Sequence, residues 1–389
     1  MRVIILKITD IRVVSNRKPV ILPVAWRAAW SMPDAKPNST AGFSFVEIHT
    51  DEGITGIDSG GLSQAFFERL RSALIGMDPF YVERFWRDYI NQKGREYIWG
   101  ERLGGVDSAL WDIVGKATGK PVYKLFGAYR DRVQVYAATT QLHSAEEHVK
   151  EAVEFREKGI RAIKLRLHRQ DYRDDLGVVE AVRDAVGNDM DVLVDGNQNN
   201  ALGSPNYKHW SRRIARKMAK KLDALDVYYF EDPLPLRDIE GLKQLAEAVD
   251  MYISGGEHAQ DVNHFTSLLF SRAFDIVEPD IIMDARIGMT GMRKVAQIAE
   301  SVERMIVPHM SMGPNQALHL AATLQVVASM PESVCPYVEY DLEPPALTVE
   351  TQQMLLKEPI VIDSDGCVQV PQLPGIGVEI DEETVNNYL

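Results

Sequence analysis

The sequence predicts an α/β protein: a modified (β/α)8 barrel with an α+β capping domain built from the N-terminal third and the C-terminal tail. The chain has 389 residues, which exceeds one ordinary domain. From residue 133 onward, short apolar segments of strand composition alternate with helical stretches, whereas the first third has strands followed by a long helical region. A doubly wound sheet is the alternative, but neither G-x-G-x-x-G nor G-x-x-x-x-G-K-[ST] occurs in the chain.

The first third forms the predicted capping domain, with limits of 1–130. Residues 3–14 and 43–49 have strand composition, and a turn-rich segment follows the second of them. Between these strands, residues 23–40 are predicted to form an irregular loop with two tryptophans, which a linker exposed only to solvent would not need. Helical periodicity then extends over 62–118. Strands followed by helices are typical of an α+β module.

The barrel is predicted over 131–358, and residues 359–389 are expected to fold back onto the capping domain. Eight apolar segments match the strand count of a (β/α)8 barrel. The predicted strands are 133–138, 162–166, 191–194, 227–230, 251–254, 274–278, 305–307 and 334–340. The predicted helices between them include 145–157, 172–186, 208–222, 238–249 and 291–302.

The composition limits what the chain binds and where it acts. A net charge of −13 argues against general binding to nucleic acid or to anionic membranes, since both need a basic face. Cys335 and Cys367 are too few for a disulfide framework and form no C-x-x-C pair. The apolar start is too short for a signal peptide, and residues 317–330 are too short and too interrupted for a membrane span. We therefore predict a cytoplasmic protein.

Ionisable residues follow seven successive predicted strands. Because the active site of such a barrel lies at the C-terminal ends of its strands, these side chains are expected to share one rim. In chain order they are Lys164, Arg166 and His168, then Asp195 near Asn197, Glu231 with Asp232, Glu257 with His258, Glu278 with Asp280, His309, and Glu339. This regularity is the main reason to expect an active site here.

Asp195, Glu231 and Glu257 are the candidate metal ligands. Three carboxylates at adjacent strand ends repel one another unless a hard cation neutralises them, and ligation by oxygen alone suits Mg²⁺. Each residue also has a structural interpretation, because an acidic residue after a strand often belongs to a turn or a helix cap. Asp232 is an alternative to Glu231, although strand alternation should let only one of these neighbours point inward.

Lys164 and Arg166 are two residues apart, so a strand presents them on the same side. Inside a barrel they would converge on the site, where two cations lower each other's pKa and favour a neutral lysine. The alternative is that both point outward between the helices. His168 continues the same face and is assigned to substrate contact at the edge of the site.

Asp280 and His309 end neighbouring predicted strands. A carboxylate bonded to one imidazole nitrogen fixes the tautomer and raises the basicity of the other nitrogen, which gives a general acid/base. A structural histidine after Val-Pro is the alternative interpretation. Asp284 is a rival partner for His309, since it lies in the same short segment as Asp280.

Taken together, these residues resemble the enolase superfamily, and specifically its mandelate racemase-like acid-sugar dehydratases. The likeness covers nearly the whole chain. It includes T-D-E-G-I-T-G at 50–56, A-L-W-D at 109–112 and G-K-P-V-Y-K-L-F-G at 119–127, besides the acidic series and the Asp–His pair. The resemblance implies one Mg²⁺ per active site, bound to a substrate carboxylate, with abstraction of the α-proton and metal stabilisation of the enediolate.

The resemblance also implies roles for individual residues. In the dehydratases an acid expels the β-hydroxyl to leave a 2-keto-3-deoxy acid, and His309 would serve as this acid, as the base, or as both in turn. Glu339 is similar to the residue that donates a hydrogen bond to the enediolate, and so should be protonated. The substrate would be a small hydroxy or sugar acid. Substrate contacts are expected from Asn197 near the metal, from His258, and from Trp26 and Arg27 in the capping domain.

Two departures from the family pattern bear on the reaction. The racemase-like members usually carry Lys-x-Lys after the second strand, whereas here the second position is Arg166, which rarely gives up a proton. Two-base racemisation is therefore disfavoured, and dehydration that depends on His309 is favoured. The stretch 280–291 also departs from the usual spacing, which keeps Asp284 as an alternative to Asp280.

Other functions remain open from the sequence. Within the superfamily they are a racemase or epimerase and a lactone cycloisomerase. From another class, an aldolase of the same fold would use Lys164 as a Schiff-base nucleophile without metal. A relative that binds sugar acids without turning them over is a further alternative. We also expect a homo-oligomer.

Overall fold

The computed structural model of the chain describes residues 6–31, 35–60, 62, 64–91, 103–199, 209–282, 287–310 and 312–389. The predicted barrel architecture is confirmed. Parallel strands follow one another around a single curled sheet in the order β12-β11-β10-β9-β8-β7-β6-β13. These strands are β6 Arg132–Ala138, β7 Ala162–Arg166, β8 Asp191–Asp195, β9 Val227–Glu231, β10 Tyr252–Gly255, β11 Ile276–Val277, β12 Met305–Ile306 and β13 Val338–Asp341.

The two outer strands of this order approach each other. The Ile306 amide, at the end of β12, donates a hydrogen bond of 2.8 Å to the carbonyl of Val334, just before β13. Every residue of β7 is buried, as expected for a parallel strand covered on both faces. The outer face is covered by α5 Ala145–Glu157, α6 Tyr172–Val186 with the 3₁₀ turn Gly187–Asp189, α7 Arg212–Asp223, α8 Ile239–Ala246, α9 Val262–Ser271, α10 Gly288–Ser301 and α11 Gln316–Val327.

The capping region contains an antiparallel sheet of β1 Ile8–Ser15, β4 Ser44–Thr50 and β5 Thr55–Ser59. The helical region predicted over 62–118 is divided: α1 Gln64–Leu74 is followed by α2 Val82–Phe85, the π-helical turn Trp86–Ile90, and α3 Leu103–Thr118. The first break has a backbone cause, because Gly76 adopts a positive φ of 83°, a conformation that ends a helix. The short helix α4 Val122–Leu125 leads into the barrel.

The interpretation of residues 23–40 as an irregular loop is wrong at both ends. Strands β2 Val20–Trp26 and β3 Asn38–Ala41 pair as an antiparallel hairpin. Pro23 had suggested a loop, but an isolated two-stranded ribbon accepts a proline, and the pairing register shifts between Ile21 and Trp26. After β2, the residues Ala28, Trp30 and Ser31 lie at the C-terminal ends of the barrel strands.

Helix α3 of the capping region packs closely on the barrel. The Asp107 carboxylate accepts hydrogen bonds from the Thr290 amide at 2.9 Å and hydroxyl at 2.8 Å, so it caps the first turn of α10 from outside. The Trp111 indole also donates to the Thr290 hydroxyl, at 2.8 Å. A Cβ atom at Gly104 would lie 1.5 Å from the Ile281 carbonyl oxygen, so only glycine permits this approach.

The C-terminal tail contacts both parts of the molecule. Its strand β14 Cys367–Gln369 pairs antiparallel with β6 of the barrel, and α12 Val349–Gln352 precedes it. The Tyr388 carbonyl, in α13 Glu382–Tyr388, accepts hydrogen bonds from the amides of Arg17 and Lys18. The domain limits 1–130, 131–358 and 359–389 stay predictions. Among the helices of the described ranges, none is long and apolar enough to cross a membrane.

Candidate active site

The strand register brings the predicted metal ligands to adjacent positions. Asp195 and Glu231 end β8 and β9 and are direct partners in the parallel pairing, while Glu231 is paired with Ser254 of β10. Glu257 follows β10 by two residues. Asp195 and Glu231 are fully buried and Glu257 is 7% exposed. Burial and the charge on Glu231 raise the pKa of Asp195 to about 7, which reflects the cost of crowding carboxylates in the barrel mouth.

Lys164 and Arg166 both face the carboxylates, and the outward alternative is wrong. The Lys164 ammonium lies 2.8 Å from Glu231 Oε2 and 2.7 Å from Glu339 Oε1. The Arg166 guanidinium pairs with Asp195, lies 3.5 Å from Glu339, and donates from Nε to the Thr139 carbonyl at 2.9 Å. Both cations are therefore ion-paired inside the barrel.

The expectation of a neutral lysine is wrong. Burial alone would lower the pKa of Lys164, but the charges on Glu231 and Glu339 raise it well above its usual range. Repulsion between Lys164 and Arg166 alone would favour a neutral lysine, but the carboxylates that face both cations outweigh it. Lys164 is thus a fixed ammonium ion in this arrangement.

His309 forms the predicted contact with Asp280. Its Nδ1 lies 2.9 Å from Asp280 Oδ2, and its Nε2 lies 3.1 Å from Glu257 Oε2. Burial by itself would lower the pKa of His309, but Glu257 and Asp280 raise it to about 10, so the imidazole is a cation here. Asp280 also lies 3.4 Å from the buried His319 Nε2. The rival partner Asp284 lies outside the described residues.

Glu339 occupies the centre of the cationic groups. Besides its contacts with Lys164 and Arg166, its Oε2 accepts a hydrogen bond of 3.0 Å from the Met310 amide. Burial would raise the pKa of Glu339, but Lys164 and His309 hold it below its usual value. In this arrangement Glu339 is a carboxylate, whereas the resemblance implied a protonated side chain.

A cavity of about 380 Å³ opens above these groups. The capping side of the cavity is lined by Trp26, Ala28, Trp30, Ser31 and Asn38. The barrel side includes Asn197, His258, His309 and Asp341. The Trp30 ring lies 4.9 Å from the Arg166 guanidinium carbon, which is a cation–π distance. A volume of this size suits a small organic acid.

Two predicted substrate contacts lie away from the cavity walls in the described part of the chain. Arg27 is exposed, and its amide lies 3.4 Å from Gln141 Oε1. His168 is half-buried beside Gly196 and Arg166, and burial lowers its pKa to about 4, so it is neutral. Their assignment to substrate binding stays a prediction.

Sequence reasoning missed one acidic residue of the site, Asp341, and named another, Asp232, only as an alternative to Glu231. Asp341 is buried, lines the cavity, and accepts a bond of 2.9 Å from Gln316; its Oδ1 has no hydrogen-bond partner among the described residues. Its position two residues after Glu339 on the same strand was a signal that could have identified it. Asp232 is also buried near the carboxylates, because its positive φ of 43° removes it from strand alternation.

The donor set suits a divalent cation, although side-chain cations now occupy most of it. Over the described ranges, no group of three acidic, histidine or cysteine side chains converges as a ready ion site. However, the buried Asn197 Oδ1 has no hydrogen-bond partner within the same residues, and the buried carboxyl groups of Glu231 and Glu278 contact each other. A hard cation would satisfy an unpaired buried oxygen that lies next to mutually repelling carboxylates. Asp195, Glu231 and Glu257 therefore fit as ligands once the guanidinium leaves Asp195.

Two family models match most of the chain. The family model described as enolase C-terminal domain-like matches residues 147–384. The model of the mandelate racemase/muconate lactonizing enzyme N-terminal domain matches residues 17–127. Together the two models cover seven of the eight barrel strands, all except β6, and most of the capping region.

Individual relatives have related activities. L-talarate/galactarate dehydratase of Salmonella typhimurium is 29% identical over 90% of this chain and 83% of its own length. The 3,6-anhydro-α-L-galactonate cycloisomerase of Streptomyces coelicolor is 28% identical over 87% of this chain and 89% of its own. The crystal structure of D-glucarate dehydratase from Agrobacterium tumefaciens, complexed with magnesium, superimposes with a TM-score of 0.83 at 27% identity and 98% coverage of both chains. The chain belongs to the mandelate racemase/muconate lactonizing enzyme family of the enolase superfamily.

Proposed function

We propose that this protein is a magnesium-dependent acid-sugar dehydratase. It would remove the α-proton of an aldonate or aldarate and eliminate the β-hydroxyl as water, leaving an enol that tautomerises to a 2-keto-3-deoxy acid. The observation that carries the proposal is that His309 lines the cavity with its Nδ1 held by Asp280, while the strand position where the resemblance implies a second base holds Arg166, also on the cavity wall. One acid/base group suits elimination better than two-base racemisation.

Asp195, Glu231 and Glu257 would hold the magnesium ion. When bound, the ion supplies Lewis-acid stabilisation of negative charge on the substrate carboxylate. Glu257, which contributes to the raised pKa of His309, would raise that pKa less when it serves as a metal ligand. A His309 of lower pKa is a better proton acceptor at neutral pH.

The chain's own residues would then divide the remaining work. His309 Nε2 accepts the α-proton as the C–H bond breaks, and returns it to the β-hydroxyl on the same face as the C–O bond breaks. Asp280 keeps the imidazole oriented through Nδ1. Lys164, which is protonated beside Glu339, contributes fixed positive charge toward the developing enediolate.

The cavity favours a substrate that is rich in hydroxyl groups. Its walls include Ser31 and Asn38 from the capping side and His258 and Asp341 from the barrel. A buried carboxylate oxygen without a partner, as in Asp341, is costly until a donor such as a sugar hydroxyl pairs with it. A purely apolar hydroxy acid would leave that oxygen unsatisfied.

A lactone cycloisomerase is the second candidate, because a relative with this activity is about as similar as the dehydratase. Racemisation is disfavoured by the absence of a neutral base at Lys164 or Arg166. A Schiff-base aldolase is disfavoured because the Lys164 ammonium is locked between two carboxylates. A cytoplasmic location and a homo-oligomer are further predictions.

The test is a screen of mono- and diacid sugars with Mg²⁺, with semicarbazide detection of the 2-keto product. We expect at least one substrate whose conversion stops with EDTA and returns with Mg²⁺, and no conversion by His309→Asn. Parallel reactions in D₂O separate the alternatives, since an isomerase incorporates deuterium without forming a 2-keto acid. Conversion that survives EDTA, or isomerisation without dehydration, would overturn the proposal.

A further inference from the structure

Glu343 is a buried hydrogen-bond centre that belongs to none of the site assignments above. It lies two residues after β13 and is 1% exposed. Its carboxylate accepts from the amide and hydroxyl of Thr140, from the amide and side chain of Gln141 at 3.1 and 3.0 Å, and contacts His143 Nε2 at 2.8 Å. All of these partners lie in the segment that connects β6 to α5.

The same connecting segment receives the capping side of the cavity. The Trp26 indole donates to the Thr140 hydroxyl oxygen at 2.8 Å, and the Ala29 amide donates to the Thr140 carbonyl at 2.7 Å. A hydroxyl has one proton, and Thr140 gives it to Glu343. Its lone pairs are therefore left facing the indole N–H. The carboxylate thus determines the orientation in which Thr140 can accept from Trp26.

Residues 26–31 form the wall that Glu343 holds in place through Thr140. Trp26, Trp30 and Ser31 line the cavity, and Trp30 also stacks on Arg166. Glu343 itself is not a cavity-lining residue. A loss of the carboxylate would therefore reach the substrate only through the position of this wall.

We propose that Glu343 is a positioning residue that fixes the segment 26–31 over the barrel mouth and thereby sets the affinity for the distal, hydroxyl-bearing part of the substrate. The inference rests on the proposed function for the identity of the substrate. The docking of the segment is independent of that identity. The part of a sugar acid remote from its reacting carboxylate would contact this wall, and binding energy there is used to orient the reacting end.

The first experiment measures docking without any substrate. Amide hydrogen exchange of the segment 26–31, which contains the Ala29 amide, is compared in the wild-type protein, Glu343→Ala and Glu343→Gln. We expect about tenfold faster exchange in Glu343→Ala, as follows from the loss of hydrogen bonds worth about one kcal/mol each. Glu343→Gln keeps an acceptor for Thr140 and should restore most of the protection. Glu350→Ala, an exposed acid on α12, is the matched control.

The second experiment separates positioning from a general structural role. With the sugar acid found in the screen, Glu343→Ala should raise KM about tenfold with a smaller change in kcat, whereas binding of glycolate, which lacks distal hydroxyls, should be unchanged. Thr140→Val removes the bridging hydroxyl and should reproduce both effects, and it serves if Glu343→Ala does not fold.

The outcomes distinguish this inference from the proposed function. Unchanged exchange in the segment 26–31 in both Glu343→Ala and Thr140→Val would overturn the positioning role. Equal weakening of the sugar acid and of glycolate would overturn the claim about the distal part of the substrate. If no sugar acid is converted by the wild-type protein, the proposed function fails, and the exchange measurement still decides the docking role.

Discussion

Replacement of Arg166 by glutamine tests whether the guanidinium and a metal ion compete for the same carboxylate. Arg166 pairs with Asp195, contacts Glu339 at 3.5 Å and stacks on Trp30 at 4.9 Å. An ion that uses Asp195 as a ligand has to displace this guanidinium. We therefore expect Arg166→Gln to bind Mg²⁺ more tightly than the wild-type protein, although it removes a group from the centre of the site.

The contacts give the size of the effect. A hydrogen bond to a charged group contributes about 1.5–3 kcal/mol net, and each 1.4 kcal/mol corresponds to about a tenfold change in affinity. Removal of the competing bond to Asp195 should thus lower the Kd for Mg²⁺ by roughly 10- to 150-fold. Without the ion, the variant has buried carboxylates with less compensation, so its Tm should fall in EDTA and recover with Mg²⁺.

Isothermal titration with Mg²⁺ and thermal unfolding with and without EDTA measure both expectations. Arg216→Gln, which removes an exposed cation from α7, changes the net charge equally and should leave the Kd within about twofold, as expected of a distant, screened charge. Arg166→Lys keeps the charge without the planar fork and should fall between the wild type and Arg166→Gln. An unchanged or weaker affinity in Arg166→Gln would show that Asp195 is not shared between the two cations.

Four further outcomes are expected. His309→Asn should lower turnover by roughly 10²- to 10⁴-fold with a nearly unchanged Mg²⁺ titration; turnover near wild type would remove its acid/base role. Glu231→Gln should weaken Mg²⁺ binding at least about tenfold, and an unchanged titration would exclude it as a ligand. The pKa of His143 is raised, first by its bond to Glu343, so the pair should stabilise the fold below about pH 6.5 and lose this effect as pH rises through the raised value. The groups that face the His143 ring are Glu147, His148, Glu151 and Glu343. His143→Gln should therefore flatten the dependence of Tm on pH, and an unaltered slope would contradict the role of the pair. Lys217→Glu should stabilise α7 by about 1 kcal/mol, because it replaces repulsion by cations four residues away on either side with attraction, as chemical denaturation would measure.

The barrel could be predicted because its strands are short, apolar and regularly spaced. Burial on both faces removes polar residues from such strands, so their composition alone indicates them. The hairpin of β2 and β3 could not be predicted in the same way, because most residues of both strands are exposed and Pro23 interrupts the first. The position of the hairpin depends on tertiary contacts, such as the hydrogen bond from Trp26 at the end of β2 to Thr140.

The rim of the site could be predicted for a topological reason. Parallel strands all end at one side, so any residue that follows a strand lies near the others. What could not be predicted is how these side chains pair with one another. Lys164 was expected to be neutral, and the structure makes it a cation because Glu231 and Glu339 face it. Strand alternation should let only one of Glu231 and Asp232 point inward, but a left-handed backbone conformation at Asp232 buries both near the other carboxylates.

Glu343 illustrates the limit of the same argument. It lies past the end of its strand. The residues next to it in the sequence do not indicate that it binds the connecting segment after β6, about 200 residues earlier in the chain. Its partner Thr140 is likewise an ordinary residue in the sequence. Only the adjacency of β13 and β6 in the sheet brings the two together.

The substitution of a lysine by Arg166 has a consequence for the reaction that follows from charge alone. A lysine in this position can lose its proton when cations surround it, and so can act as a base on one face of the substrate. A guanidinium retains its charge, and here it is held by two carboxylates and an aromatic ring. This position therefore offers fixed positive charge in place of a lysine that could accept a proton. A carbanion formed on such a site would be stabilised without a lysine base to reprotonate it, which disfavours racemisation and favours the proposed loss of the β-hydroxyl.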